Sequence, residues 1–547
     1  MKKRIIALIL ASVMVLAMLA GCGKDKKKGS GDDGILVVGV PQSSTISSYT
    51  ENDFTKWIEE QLDIELEFVY YNGGDEGIRQ FTLDCAAEKF EDMPDVIWGF
   101  QSMSNYALND LGEDGYVLDL KPYLDEEHFP NFFEALKDVP EADKKTALEK
   151  GTNPDDGGYY GMPLIALEHV DNLGNMPFIN VKWLKDLGLK KPTNVDELYT
   201  VLKAFKERDP NGNGKADELP MVGAAANGGG LSQYLMNAFI YWDASNAYNV
   251  MNGRIYSPMI TDQFRQGLIY INKLYSEGLI AEMSFSGSTH TDFVNINTPA
   301  DQVAKAGIWF GHPSIYTDAN TTILDQYEAL PYLADETGLG GYTVFNANAI
   351  KWCSWICAHT ERVNTAMKFL DLMYTDEAMT RMRMGAKDIY WHYGEEGLNI
   401  KGKPTSIYVD DDSAFFGGDS TWGINGNCIM NDANYTGVEG DSIPGTRTAE
   451  IERIMKQLWN ELCVAGKRPA ETAEHLIYTS EDFDRKNELN GKFYSYYGEA
   501  LTLFCTGKRN PNSDKEWNDF KAQMDKLGRT EIEGIVQRAY DRQKAAN

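Results

Sequence analysis

Residues 209–218 read DPNGNGKADE, ten consecutive positions of turn formers and oxygen donors. Asp209, Asn211 and Asn213 stand at alternate positions, and Gly214 follows at once. These match positions one, three, five and six of a calcium loop, in which a glycine-bearing turn points alternate side chains inward. A hard cation wants six to eight oxygens at about 2.3–2.6 Å. Lys215 has only its backbone carbonyl to offer, while Asp217 and Glu218 supply closing carboxylates. The twelfth position, where an EF-hand places a bidentate glutamate, is Pro220. Local sequence leaves two readings, a cation cage and a solvated acidic turn.

A second kind of chemistry lies in the aromatic residues. The chain has 29 Tyr, 11 Trp and 23 Phe, enough to line a cleft as well as fill cores. Flat rings answer the apolar CH faces of sugars, and amides and carboxylates answer their hydroxyls. Trp98, Tyr160, Trp309 and Trp391, with His392 beside the last, fall in loops expected at strand ends and are the candidate ligand-binding residues. Asp95, Glu168 and Asn227 are candidate hydrogen-bond partners. Each ring has a core reading beside the cleft reading. Trp352 and Trp355, inside the apolar run IKWCSWICA, read as core. No catalytic residue is expected: the sequence has no G-x-S-x-G elbow, no H-E-x-x-H, no Walker loop and no G-x-G-x-x-G fingerprint.

The elements that position these residues follow from periodicity. ILVVGV reads as a buried strand, TENDFTKWIEEQL as a helix with Phe54, Trp57, Ile58 and Leu62 on one stripe, and IELEFVYY as a strand. A helix around Gln80–Phe90 and a short strand at Val96–Ile97 complete a strand-helix-strand-helix-strand order, which predicts an α/β layer with parallel pairing. Ligands gather outside the carboxyl ends of such strands, where Trp98 and Gly99 stand. Val195, Leu198, Leu202 and Phe205 recur at helical spacing after a capping-box-like start at Thr193–Asp196, so a helix from about 195 to 208 leads into the acidic loop. Helical patterns fill 231–242, 261–277 and the region after Thr360, and MGAKDIYWHYGEEG reads as an aromatic loop bounded by glycines.

The start of the chain is a targeting signal. Lys2, Lys3 and Arg4 precede an uncharged run, Ile5–Ala20, that ends in Leu19-Ala20-Gly21-Cys22. This tetrad resembles the bacterial lipobox, which implies cleavage before Cys22 and acylation of its thiol, palmitate being one such chain. Two acyl chains suffice for stable anchoring. GKDKKKGSGDDG then has no apolar side chain to bury and reads as a tether. The formal charge is −30, and loss of the three leader cations makes the remainder more negative still, which disfavours nucleic acid as a partner. Cys85, Cys353, Cys357, Cys428, Cys463 and Cys505 are too sparse for a disulfide scaffold and read as buried thiols.

The lipobox, the opening unit ending in PDVIWG, the turn YYGMP, the block from NVKWLKDLGL to DPNGNGKADELP and the tail from LTLFCTGKRN to QRAYDR together resemble an extracellular solute-binding lipoprotein, of the carbohydrate-type, family 1-like class, serving a bacterial ABC importer. The resemblance implies an α/β, type II periplasmic-binding-protein-like fold whose two lobes close on a ligand in the cleft between them. It implies a monomer anchored by lipid at the extracellular face of the cell membrane, which delivers an oligosaccharide to ABC permease transmembrane subunits. It also implies that the Asp209, Asn211, Asn213, Lys215, Asp217 and Glu218 loop is a structural calcium site, with the closing acid moved earlier than in an EF-hand. On this reading residues 1–21 are the signal peptide and 22–34 the lipidated cysteine and tether. Residues 35–165 begin lobe 1, 166–325 begin lobe 2 and carry the 209–218 loop, 326–375 return to lobe 1, and 376–547 form a C-terminal helical region completing both. The rival readings are a surface glycoside-acting enzyme, a sensory or adhesive lipoprotein, and a transporter component for peptides or other small solutes.

Overall fold

The computed structural model describes residues 34–546, apart from 168–172, 174–175, 245–247, 287–289, 317, 336–339, 345–348, 400, 411–417, 424–425, 432–437, 440–446, 474–475 and 477. The leader, Cys22, most of the tether and Glu168 therefore lie outside the described residues.

The strands, in chain order, are β1 (Ile35–Pro41), β2 (Glu65–Tyr71), β3 (Val96–Ile97), β4 (Met162–Ala166), β5 (Pro177–Asn180), β6 (Leu219–Val222), β7 (Asn249–Met251), β8 (Arg254–Tyr256), β9 (Ala306–Phe310), β10 (Tyr327–Ala329), β11 (Ala349–Ile356), β12 (Trp391–Leu398), β13 (Pro404–Val409), β14 (Cys428–Met430) and β15 (Val438–Glu439). One sheet has the order β14-β4-β11-β3-β1-β2 and a second the order β10-β5-β9-β6. β1 pairs in parallel with both β2 and β3, as the strand-helix alternation requires. In the second sheet β6 and β9 are parallel, and β5 runs against β9. Each sheet has its own core. Residues of 36–166 and 352–382, joined by Trp422, Cys428 and Ile429, form one apolar cluster, while residues of 173–333 and 451–540 form the other. Two lobes with separate cores, crossed by the chain more than once, are the result.

Local chemistry explains the elements that the sequence predicts. The helix Val195–Glu207 starts where Asn194 accepts from the backbone N–H of Asp196 and Glu197, and Glu197 reaches back to the Thr193 N–H at 2.8 Å. It buries Val195, Leu198, Val201, Leu202 and Phe205 on one face. The expected helix around Gln80–Phe90 lies further toward the N-terminus, at Asp75–Ala86, because Asp75 and Glu76 favour the first turn and the chain breaks after Ala87.

Three expectations are corrected. Tyr327–Ala329 pairs antiparallel with Phe178–Asn180 in the second sheet, so the chain returns to the first lobe at β11 rather than at 326. Residues 376–547 are not only helical, since β14 forms an edge of the first sheet and β12, β13 and β15 make a small sheet of their own. The aromatic loop at 390–394 is strand β12, held by pairing with β13 from Trp391–Val409 to Leu398–Pro404. Six cysteines, Cys85, Cys353, Cys357, Cys428, Cys463 and Cys505, are free and buried, as their apolar settings predict.

Candidate functional site: an interlobe cleft and an acidic loop

The carboxyl ends of the parallel strands define where a solute would meet each lobe. In the first lobe β1 delivers the chain to the exposed Gln42, and β3 to Trp98, Gly99 and then Gln101 and Ser102. In the second, β6 leads to Gly223 and Asn227, and β9 to Gly311 and His312. Asn227 is exposed with left-handed backbone angles (φ 54°, ψ 27°), a conformation that asparagine tolerates better than most residues. Its N–H donates to Thr502 Oγ1 at 2.9 Å, which fixes it on the long helix Ser480–Cys505. Gln42, Gln101, Ser102 and His312 were not singled out by sequence, because a polar residue in a short loop carries no periodic signal.

The aromatic candidates take a packing role here. Trp98 is fully buried among first-lobe side chains, edge-on to Trp422 at 5.1 Å and pressed against Gly426, where a Cβ would come within 1.8 Å of the indole. Tyr160 is buried and donates from its hydroxyl to Asp156 Oδ2 at 2.6 Å. Trp309 is buried in the second core, stacked on Phe178 at 4.7 Å. Trp391 is buried with Met384, Ile407 and Val409, its Nε1 donating to the Gly385 carbonyl at 3.0 Å. None of these four rings offers a face to a solute in this arrangement, because each completes an apolar cluster at its strand end. The structure does not bring the four together: they fall in three separate clusters. His392 keeps 45% of its side chain exposed, stacks on Tyr408 and pairs with Asp410 at 2.7 Å. The indole N–H groups of Trp98 and Trp309 are buried without an acceptor. Asp95 is a structural ion pair: its carboxylate accepts from Val37 N, Thr360 Oγ1 and Arg362 Nη1 at 2.6–3.3 Å. Trp352 and Trp355 are core, as predicted.

The loop 209–218 leaves the Val195–Glu207 helix at Arg208 and ends at β6 in the second lobe. Asp209, Gly212 and Gly214 all have positive φ, which coils ten residues tightly. Asp209 accepts from the N–H of Asn213 and Gly214 at 3.1 and 3.0 Å. The side-chain amides of Asn211 and Asn213 donate to Asp217 Oδ1 at 3.3 and 2.9 Å. These bonds hold the Asp217 carboxyl below its usual range, the Asn213 bond contributing most. Glu218 is pushed the other way, first by desolvation and then by Asp209 and Asp217, and its Oε1 is buried without a partner. Among the described residues no group of three His, Cys, Asp or Glu side chains stands at metal-ligand geometry. In this arrangement the amide oxygens of Asn211 and Asn213 accept from the N–H of Asn213 and Lys215 at 3.0 and 2.8 Å, while their amide nitrogens face Asp217. An orphaned buried carboxylate oxygen beside two more carboxylates and two amides fits a hard cation.

The profile described as bacterial extracellular solute-binding protein matches residues 42–380, more than half of the chain. The chain belongs to that family. End to end it is similar to the fructooligosaccharide ABC transporter substrate-binding protein FusA of Streptococcus pneumoniae serotype 4, with 25% identity over 97% of this chain and 96% of the relative. Over 51% of each chain it is 29% identical to Lipoprotein LipO of Bacillus subtilis. Its fold matches the structure of FusA in complex with kestose, with a TM-score of 0.72 and 21% identity over 94% of this chain and 100% of the other. An EF-hand mutant of FusA in complex with fructo-nystose matches equally well, with a TM-score of 0.72 and 22% identity over 94% and 100% of the two chains. An extracellular solute-binding protein of Bifidobacterium longum subsp. infantis matches with a TM-score of 0.74 and 21% identity, over 94% and 99%. As a member of this family the chain is a solute-binding component, with the two-lobe architecture of its structural neighbours.

Proposed function

We propose that this solute-binding protein captures an oligosaccharide in the cleft between its lobes, closes on it, and presents it to the transmembrane subunits of an ABC importer. The observation that carries the reading is end-to-end similarity to a protein named as a fructooligosaccharide-binding component of such an importer. The ends of β1, β3, β6 and β9 supply polar loops on both sides of the cleft, and Asn227 contributes a rigidly held amide suited to hydroxyl groups. His392 is already open to a solute, whereas ligand-binding roles for Trp98, Tyr160, Trp309 and Trp391 require a ligand-bound arrangement that exposes them; the buried indole N–H groups of Trp98 and Trp309 support such a change.

Calcium in the 209–218 loop acts structurally on this reading. Asp209, Asn211, Asn213, Asp217 and Glu218 side chains and the Lys215 carbonyl hold the ion, relieving repulsion among three carboxylates. The support is the partnerless buried oxygen of Glu218 and the EF-hand named for a structural neighbour. Acylated Cys22 tethers the chain to the outer face of the membrane; a relative named as a lipoprotein supports this, as does the lipobox. The chain works as a monomer and performs no chemistry on its solute.

The test is a thermal-shift screen of residues 29–547 against neutral and acidic oligosaccharides, monosaccharides and short peptides, with and without a chelator. A ligand at about 100 times its Kd adds roughly 2.7 kcal/mol, readable as a raised Tm. A shift with one glycan class supports the assignment, shifts with peptides alone sink it, and turnover of a chromogenic glycoside reveals an enzyme instead. Chelation lowers the Tm and calcium restores it if the loop is a site; Glu218→Gln loses that response.

A further inference from the structure

Two helices from different lobes meet at their N-terminal turns. The helix Asn105–Glu113 begins beyond the end of β3, capped by Ser104, whose Oγ accepts from Ala107 N at 3.1 Å. Leu108 and Leu111 bury one face of it in the first core. The helix Ser480–Cys505 begins at Thr479, which accepts from Asp482 N at 3.2 Å, and its Phe493, Tyr497, Leu501 and Phe504 are anchored in the second core. Tyr106 leaves the first lobe and lies flat on Phe483, with ring centroids 3.7 Å apart and planes 21° from parallel. Its hydroxyl accepts from the backbone N–H of Tyr478 at 2.8 Å. Burial raises the Tyr106 hydroxyl above the usual tyrosine range, so it stays neutral and keeps its hydrogen bond across ordinary pH. Asn105, next to it, is tied to the first lobe through the Lys150 carbonyl. Both halves of the contact are therefore rigidly mounted, and 372 residues of chain separate them.

We propose that Tyr106 and Phe483, with the Tyr478 N–H, form a clasp that sets how far the lobes close. The proposal rests on the reading of the protein as a hinge-closing binder. Tyr106 is a positioning residue: it touches the opposite lobe and acts on solute through the angle between lobes. A flat aromatic stack plus a directional hydrogen bond selects one interlobe angle, which bare apolar contact does not. Because the contact is made only when the lobes are together, losing it speeds opening more than it slows encounter.

The experiment places spin labels at the exposed positions K137C and K515C, one on each lobe, and measures their distance distribution in the protein without solute. Residues 29–547 omit Cys22, and the six cysteines they keep are buried and do not compete for label. Y106A and F483A are expected to shift the distribution to longer distances, and the double variant to shift it no further than either alone. Y106F, which keeps the ring, shifts it less. With kestose as the probe, koff is expected to rise about tenfold in Y106A and about threefold in Y106F while kon stays within twofold. Unchanged distance distributions in folded Y106A and F483A overturn the clasp. Since that reading uses no solute, failure of kestose to bind bears on the oligosaccharide assignment and leaves the clasp decided by the distances alone.

Discussion

Asp95 shows how one residue type serves two very different purposes. A carboxylate beside a strand that ends in tryptophan suggests a sugar hydroxyl as partner, yet Asp95 stands at the amino end of β3, away from the carboxyl ends that face a solute; it is 5% exposed and its capacity is spent on Val37, Thr360 and Arg362. It ties β1 and the start of β3 to the turn after β11. Removing it takes the carboxylate from the part-buried Arg362 guanidinium and from two further donors, so Asp95→Ala is expected to cost about 2–3 kcal/mol in urea unfolding. Thr360→Val removes the bond that the hydroxyl donates to Asp95 and the one it accepts from the Arg362 N–H, and costs about 1–2 kcal/mol. Solute affinity per folded molecule is expected to be unchanged in both, and a selective loss of affinity at full stability reinstates Asp95 as a ligand residue.

Among the elements, the end of β3 depends on a segment far along the chain. Trp98 packs under Gly426, with no room for a Cβ, and against Trp422, which also meets Tyr49, Phe54 and Phe68. The Trp422 indole donates to Thr55 Oγ1 at 2.9 Å, and Asn52 Nδ2 donates to the Thr421 carbonyl at 2.9 Å. Residues 418–423 and 426–430 thus strap over the first lobe. Gly426→Ala is expected to cost about 1–3 kcal/mol by overpacking and to perturb near-ultraviolet circular dichroism of the tryptophans. At the other lobe Asn194→Ala removes the cap of the helix feeding the acidic loop, at about 1 kcal/mol. If the loop binds calcium, that variant also shows weaker ion binding by calorimetry, because the Asp209 end of the loop hangs from this helix.

For the molecule as a whole, a net charge of −30 favours like-charge contacts, and one of them falls where the lobes approach, at Asp110 and Asp484. Asp110 lies one turn from Tyr106. Lost hydration first, and then Asp484 of the opposite lobe with Glu113, Asp114 and Asp155, push its carboxyl up to about 6. An acid raised in the folded protein above its unfolded value of 3.8 favours the protonated folded form, so its penalty is absent at low pH and grows as pH climbs from about 4 to about 6. Asp110→Asn is therefore expected to gain stability relative to the parent through that window and to hold a constant gain above it. Solvent still reaches Asp110, which limits the gain to about 1 kcal/mol. Urea unfolding at pH 4, 5, 6 and 7 measures it, and a parallel profile for both proteins refutes it.

At this scale, what was legible in the sequence and what was not divides along one physical line. β1, β2, β3 and β11, the capped helix Val195–Glu207 and the oxygen spacing of DPNGNGKADE follow from neighbours within a dozen residues, and these local signals lead directly to an α/β layer and an acidic loop, while the solute-binding reading comes from the resemblance of longer blocks. The burial of Trp98, Trp309 and Trp391 was not readable, since an aromatic at a strand end faces cleft or core according to what packs over it. For Trp98 that is Trp422 and Gly426, more than 300 residues away. β12 carries glutamates and glycines in place of an apolar alternation, and only pairing with β13 makes it a strand. The Tyr106–Phe483 contact likewise has no local mark. Hydrogen-bond spacing and apolar period are properties of a short stretch of chain, whereas which face is covered, and by which lobe, is decided only when distant segments meet.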